Sequence, residues 1–266
     1  MSTMEPVVPS RHGLKTASST LKHVAEVITN IFENSEEAFA YDAIEDIGDA
    51  RGYTAGRVGF TTGTGDVQAL VELYNRMSKS SQAKALAGYL PELTRLSSLS
   101  RCDPARASVD GLKGFDTAWK NAAHKDPEFA RAQDTLNEQM YLTPGRRYAA
   151  LNNVTSPLGQ AIFYDTIIQH GWQITEPDIN LPRILTLTGP RQKEESEAAY
   201  LGRFLHTRRT LLCCYPDNTW PKAADRISDL QSVLKAGGLF MRKTIHLPSY
   251  NKNVKVPKQK GLRLRI

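Results

Sequence analysis

Residues 44–66, IEDIGDARGYTAGRVGFTTGTGD, decide how the rest of the chain is read. Six glycines (Gly48, Gly52, Gly56, Gly59, Gly63 and Gly65) break any long helix there. Tyr53, Val58 and Phe60 between them predict short antiparallel strands joined by tight turns. Asp66 then reads as an N-cap, because Val67, Leu70, Val71 and Tyr74 follow at helical spacing. Upstream, Thr20 reads as another cap. Leu21, Val24, Val27, Ile28, Ile31 and Phe32 recur at helical spacing and predict an amphipathic helix ending near Ser35. Glu33 falls in its last turn, off the centre of the apolar stripe.

Further helices are expected over residues 83–96 (broken near Pro91), 128–140, 157–170, 194–214 and 223–236. No repeat of solenoid period is present. Many helices around one small early sheet give an α+β, mainly α fold. The domain reading is a leader over residues 1–20, a catalytic region over 21–247 and a basic tail over 248–266.

Charge is distributed unevenly. The chain holds 34 Lys and Arg against 28 Asp and Glu, and residues 251–266 carry six of those cations with no acid. The remainder is therefore balanced, and the net +6 belongs to a tail that could touch polyanions or simply be solvated. Residues 33–50 hold seven acids and no Lys or Arg. If that run lines a cleft, its field favours a cationic ligand.

Several chemistries are excluded. The glycines of residues 59–66 precede an acid where a phosphate loop needs a lysine. The six histidines show no HExxH spacing, and no GxSxG elbow is present. Cys102, Cys213 and Cys214 make neither a disulfide framework nor a zinc pattern. No metal and no cofactor is expected. No apolar run is long enough to span a bilayer, and residues 1–15, MSTMEPVVPSRHGLK, lack the apolar core of a signal peptide.

What survives is a carboxylate pair, Glu33 at a helix end and Asp49 in the turn Gly48-Asp49-Ala50-Arg51-Gly52. Two carboxyls on opposite walls of a cleft are what glycoside hydrolysis needs, one protonated and one ionised. The negative end of the helix and the like charges of Glu36 and Glu37 favour Glu33 as the acid. Arg51 beside Asp49 favours an ionised partner. By spacing alone, Asp49 reads equally as a turn residue and Glu33 as a solvated side chain.

The run from Ile44 through Gly48-Asp49-Ala50-Arg51-Gly52-Tyr53-Thr54-Ala55-Gly56 to Gly63-Thr64-Gly65-Asp66 resembles the signature of glycoside hydrolase family 46, the chitosanases. Glu33-Asn34-Ser35 resembles that family's acid segment. Tyr89-Leu90-Pro91, Phe163-Tyr164-Asp165, His170-Gly171, Tyr200-Leu201, Phe204-Leu205, Arg208 and Leu234-Lys235-Ala236-Gly237 agree in order. The resemblance implies a two-lobed, lysozyme-like fold and endo-hydrolysis of β-1,4 links between glucosamine residues of chitosan, with inversion. It implies Glu33 as general acid, Asp49 as general base and Thr54 as a holder of the attacking water. Arg51, Asp66 and Asn34 fall to substrate binding, and Asp165, Arg208 and Arg226 to a buried network behind the acid. Asp66 also reads as only a helix cap, Arg208 and Arg226 as structural ion pairs, and Trp119 as core.

The sequence departs from the family pattern between Glu33 and the signature, where the spacing is shorter and Ala38-Phe39 stands in place of a Trp. The resemblance further implies a monomer, chitosan as partner and secretion, with a viral or intracellular setting left open by residues 1–15. A lysozyme-like hydrolase of another aminosugar polymer and a non-catalytic polysaccharide-binding protein are the alternatives.

Overall fold

The apolar residues spaced from Leu21 to Phe32 wind into helix α1, Ser19–Asn34, whose Val24, Val27, Ile28 and Ile31 are buried. The helix stops at Ser35, which takes a left-handed φ of 58° and donates its N–H to the carbonyl of Ile31 at 2.8 Å. This computed structural model describes residues 19–100, 103–173, 179–214 and 221–257. Residues 1–18, nearly all of the expected leader, and residues 258–266, half of the expected tail, lie outside them. Packing divides the chain into two compact units: residues 38–140 form one, and residues up to Glu37 with those from Tyr141 form the other.

In the unit of residues 38–140 the glycine-rich stretch forms strands β1 (Ile44–Asp46), β2 (Tyr53–Ala55) and β3 (Phe60–Thr61). The sheet is antiparallel in the order β1-β2-β3, with Glu45 opposite Thr54 and Thr54 opposite Thr61. Glycine is required at the turns. At Gly52, φ is +70° and a Cβ would come within 2.3 Å of the Thr62 hydroxyl. The chain then enters α2 (Asp66–Met77), α3 (Ser81–Ala87), α4 (Leu90–Ser98), α5 (Phe115–Lys125) and α6 (Pro127–Asn137).

Asp66 is not the cap of α2. Gly65, at φ 93°, takes that position and Asp66 opens the first turn, where its charge suits the helix dipole. The break expected near Pro91 lies slightly earlier, at Gly88 and Tyr89, and Pro91 sits in the first turn of α4 where its missing N–H costs nothing. Trp119 is core, fully buried with its ring centroid 4.8 Å from that of Phe129. Asp126 caps α6 and accepts hydrogen bonds from Tyr74, Ser78 and Ser80. Burial pushes its carboxyl up, but these donors win and hold it at about 2.

The other unit joins α1 to α7 (Thr143–Leu151), α8 (Pro157–His170), α9 (Leu181–Thr188), α10 (Glu197–Cys214) and α11 (Asp225–Lys235). Helix α8 is buried on nearly every side, so its sequence is apolar all round. It packs against α1 and α7, and at Gly145 a Cβ would come within 3.0 Å of the Tyr164 backbone. A hairpin closes the unit, β4 (Ile245–Leu247) against β5 (Lys252–Val254), with a 3-10 turn Pro248–Tyr250 between them. Residues 248–254, read from the sequence as the start of a basic tail, are thus part of this folded unit. Alternate residues Ile245, Leu247 and Val254 are buried, which a charge count does not detect. Among the described residues no helix is long and apolar enough to cross a membrane.

Candidate active-site residues

Glu33 stands in the last turn of α1 with its side chain 34% exposed. Its Oε1 accepts a hydrogen bond from Arg226 Nη2 at 2.6 Å. The same Nη2 lies 3.0 Å from Asp165 Oδ1 on α8, an ion-pair distance without hydrogen-bond alignment. Asp165 Oδ2 in turn accepts from Arg208 Nη1 on α10 at 2.7 Å. Arg208 also donates to Thr166 at 3.1 Å and to Gln169. Arg208 and Asp165 are essentially inaccessible, and the Arg226 side chain is 5% exposed.

Burying ions carries a desolvation penalty of several kcal/mol each, so their charges must balance closely. Asp165, Arg208 and Arg226 sum to one positive charge, and Glu33 is the carboxyl group that Arg226 meets at its outer end. The Arg226 guanidinium responds accordingly. Burial works against its charge, but Asp165 and then Glu33 outweigh burial and raise its pKa. Helix α1 exposes Glu33 while Phe32 turns inward, and the Arg226 guanidinium lies over the Phe32 ring, 5.2 Å from its centroid.

His170, at the end of α8, belongs to the same surroundings and was not singled out from the sequence as a site residue. It is 4% exposed, and its Nε2 has no hydrogen-bond partner. Burial, then Arg208 and Arg226, hold its pKa well below the usual imidazole value. The buried set therefore gains no further positive charge. Thr166, Gln169 and His170 follow Asp165 at one, four and five residues along α8. That is one face of a helix, a spacing present in the sequence but uninformative until Asp165 is placed.

Asp49 belongs to the other unit. It lies in a turn of left-handed residues, Gly48 (φ 70°), Ala50 (φ 64°) and Gly52 (φ 70°). Its Oδ1 accepts from the Arg51 N–H at 3.1 Å and its Oδ2 from Arg51 Nε at 2.7 Å, with Arg51 Nη2 2.5 Å away. Arg51, expected at the substrate, is thus engaged on Asp49, yet its side chain remains 53% exposed. Thr54, on the central strand β2, has a buried Oγ1 without a hydrogen-bond partner. A buried hydroxyl left unpaired is costly and rare, and such groups merit a functional explanation.

The contacts therefore sort the expected residues into two sets. Glu33, Asp165, Arg208 and Arg226 form one continuous network. Asp49 and Arg51 form a local pair, and Thr54 lies on the same sheet. Asn34 donates to Asn30 at 2.9 Å and is exposed beside Glu33, while Asp66 is half-buried at the start of α2. Among the described residues, no cluster of His, Cys, Asp and Glu could hold a metal ion.

Comparison with known proteins bears on both sets. The family model for glycosyl hydrolase family 46 matches residues 27–244, which include every residue of both. A chitosanase of Bacillus subtilis (strain 168) is 35% identical over 237 residues, 86% of this chain and 82% of that one. A chitosanase of Streptomyces sp. (strain N174) is 30% identical over 234 residues, 86% of this chain and 79% of its own. Among solved structures, a mutant chitosanase from Bacillus subtilis MY002 complexed with 6 GlcN superposes with a TM-score of 0.76 at 31% identity. It covers 91% of this chain and 100% of that one. A Gynuella sunshinyii chitosanase of family 46, in complex with chitotetraose, gives 0.78 at 28% identity, covering 92% of this chain and 100% of its own. The mainly helical, lysozyme-like fold is thus shared with these proteins. With the match running through both carboxyl-bearing segments and the buried network between α8, α10 and α11, the chain belongs to glycosyl hydrolase family 46.

Proposed function

We propose that this protein is an inverting endo-chitosanase. It cleaves β-1,4 links between glucosamine units, with Glu33 as general acid and Asp49 as general base. The observation that carries the reading is Arg226, a buried guanidinium committed to one exposed carboxyl and to the Asp165–Arg208 pair behind it. Asp165 and Arg208 already pair with each other, so Arg226 brings one positive charge in excess and directs it at Glu33. That suits an acid that must become an anion during reaction.

Glu33 donates its proton to the glycosidic oxygen as the C1–O bond breaks through an oxocarbenium-like state. The negative charge that Glu33 acquires is the one the buried network lacks, so Arg226 stabilises it as it forms. Asp49 takes a proton from a water that attacks C1 from the opposite face, and Thr54 Oγ1 holds that water. One proton leaves Glu33 and one reaches Asp49, and exchange with solvent restores both. Arg51 keeps the Asp49 carboxylate oriented, and Asn34, Arg51 and Asp66 contact the sugar chain. Protonated glucosamine units make the substrate a polycation, which suits the acids of residues 33–50. The relatives described as chitosanases, two of them solved with GlcN or chitotetraose, support this substrate class.

The test replaces each carboxyl by its amide. Glu33→Gln and Asp49→Asn are each expected to lower kcat on chitosan by roughly 10²–10⁴-fold with unchanged circular dichroism. NMR of early products is expected to show the inverted anomer. Near-normal turnover in Glu33→Gln would refute the assignment, and greater activity on chitin or peptidoglycan than on chitosan would redirect the substrate.

A further inference from the structure

The C-terminal hairpin lies beyond the family-matched residues 27–244, yet it touches the surroundings of Glu33 at three points. Tyr250, in the turn between β4 and β5, packs its ring on Phe32 with centroids 5.2 Å apart and planes tilted by 50°. Phe32 is the residue before Glu33, and the Arg226 guanidinium lies on its ring. Lys252, the first residue of β5, reaches Glu36 Oε2 at 3.2 Å. Glu36 is also held through its carbonyl by Asn30, a buried side chain of α1, at 2.7 Å. Ser249 donates its N–H and its hydroxyl to Asp229 on α11, at 3.2 and 2.8 Å. Asp229 lies three residues after Arg226 on the same helix.

β4 thus packs on the helix that carries Arg226, and β5 on the helix that carries Glu33. We propose that Tyr250 and Lys252 are positioning residues. Through the Phe32 ring and Glu36 they fix the end of α1 and the orientation in which Arg226 meets the Glu33 carboxyl. The inference rests on the reading of Glu33 as the acid. An aromatic ring packed from one side restricts the plane on which a guanidinium lies, and proton donation tolerates little misplacement.

Turnover of chitosan as a function of pH tests this. Glu33 must carry a proton to donate it, so its loss sets the alkaline limb of kcat. The charged groups around it are Arg226 from α11, Asp165 from α8, Arg208 from α10, Glu36 and Lys252 from β5, with Tyr250 and neutral His170 nearby.

Tyr250→Leu keeps an apolar side chain but removes the ring. It is expected to lower kcat by about 10-fold with KM little changed, and to move the alkaline limb to higher pH as Arg226 loosens. Tyr250→Phe restores wild-type behaviour. Lys252→Met, at the surface, moves the limb in the same direction with about a 2-fold fall in kcat.

Unchanged kcat and an unchanged limb in folded Tyr250→Leu overturn the proposal. Should that variant lose its cooperative unfolding transition, an unchanged limb in Lys252→Met overturns it equally. An inactive Glu33→Gln beside an unaltered Tyr250→Leu removes the hairpin's role alone. An active Glu33→Gln removes the acid assignment instead.

Discussion

The two carboxyls are built in opposite ways. Asp49 is held by a residue two positions along the chain, in an exposed turn whose glycines supply the required φ values. Glu33 is held by Arg226, 193 residues away in sequence, which is itself locked by two further helices. A local device can be altered with little effect beyond itself. A buried network assembled from four helices ties the placement of one side chain to the stability of the whole unit.

Breaking each device should therefore give very different losses. Arg208→Ala leaves Asp165 Oδ2, Thr166 and Gln169 without their buried donor and is expected to cost ~3–5 kcal/mol in urea unfolding. The equivalent change in the turn, Arg51→Ala, is expected to cost less than about 1 kcal/mol, because the pair is largely solvated. Similar losses from the two would end the distinction between them.

The pH windows of the two units sharpen the comparison. His170 is kept neutral in the folded state, so the unfolded chain binds a proton that the native one excludes. Stability is fully present above about pH 6.5 and falls as pH drops below that value, by up to ~1.4 kcal/mol per pH unit. Between pH 6.5 and 5, amides of α8 should lose hydrogen-exchange protection, and His170→Gln should flatten that slope. In the other unit Asp126 is depressed to about 2 from an ordinary 3.8. Its contribution is present above pH 3.8 and is lost as pH falls toward 2, so the amides of α6 should not respond until then. Simultaneous loss of protection in both helices near pH 6 would contradict these assignments.

The same contrast explains what the sequence disclosed. Residues 44–66 were legible because each turn there demands a glycine, and antiparallel strands separated by a few residues pair locally. Helix α8 was legible at both ends from Pro157 and His170-Gly171, with Ser156 capping it through the Gly159 N–H at 3.0 Å. Helices α5, α7 and α9 were missed: α7 and α9 are short and each carries a proline, and α5 buries only Phe115, Trp119 and Ala122. The hairpin was missed because three-residue strands rich in Lys and Asn resemble a solvated tail until their buried faces are known. Glu33 and Asp49 could be singled out from residue chemistry, but Asp165, Arg208 and Arg226 entered only through family resemblance. No periodicity connects three charged residues on three helices, and His170, although part of the resemblance, was given no role by it.

The unit that carries Glu33 is interrupted by the whole of the other one. On the ribosome, α1 is made first and residues 38–140 follow as one contiguous unit. The guanidinium that meets Glu33 is translated last of the four charges. At ~5–20 residues per second the wait between Glu33 and Arg226 is roughly 10–40 s. The catalytic apparatus proposed for this enzyme is consequently finished only once α11 has been made, and a nascent chain stalled before α11 would carry its acid without Arg226.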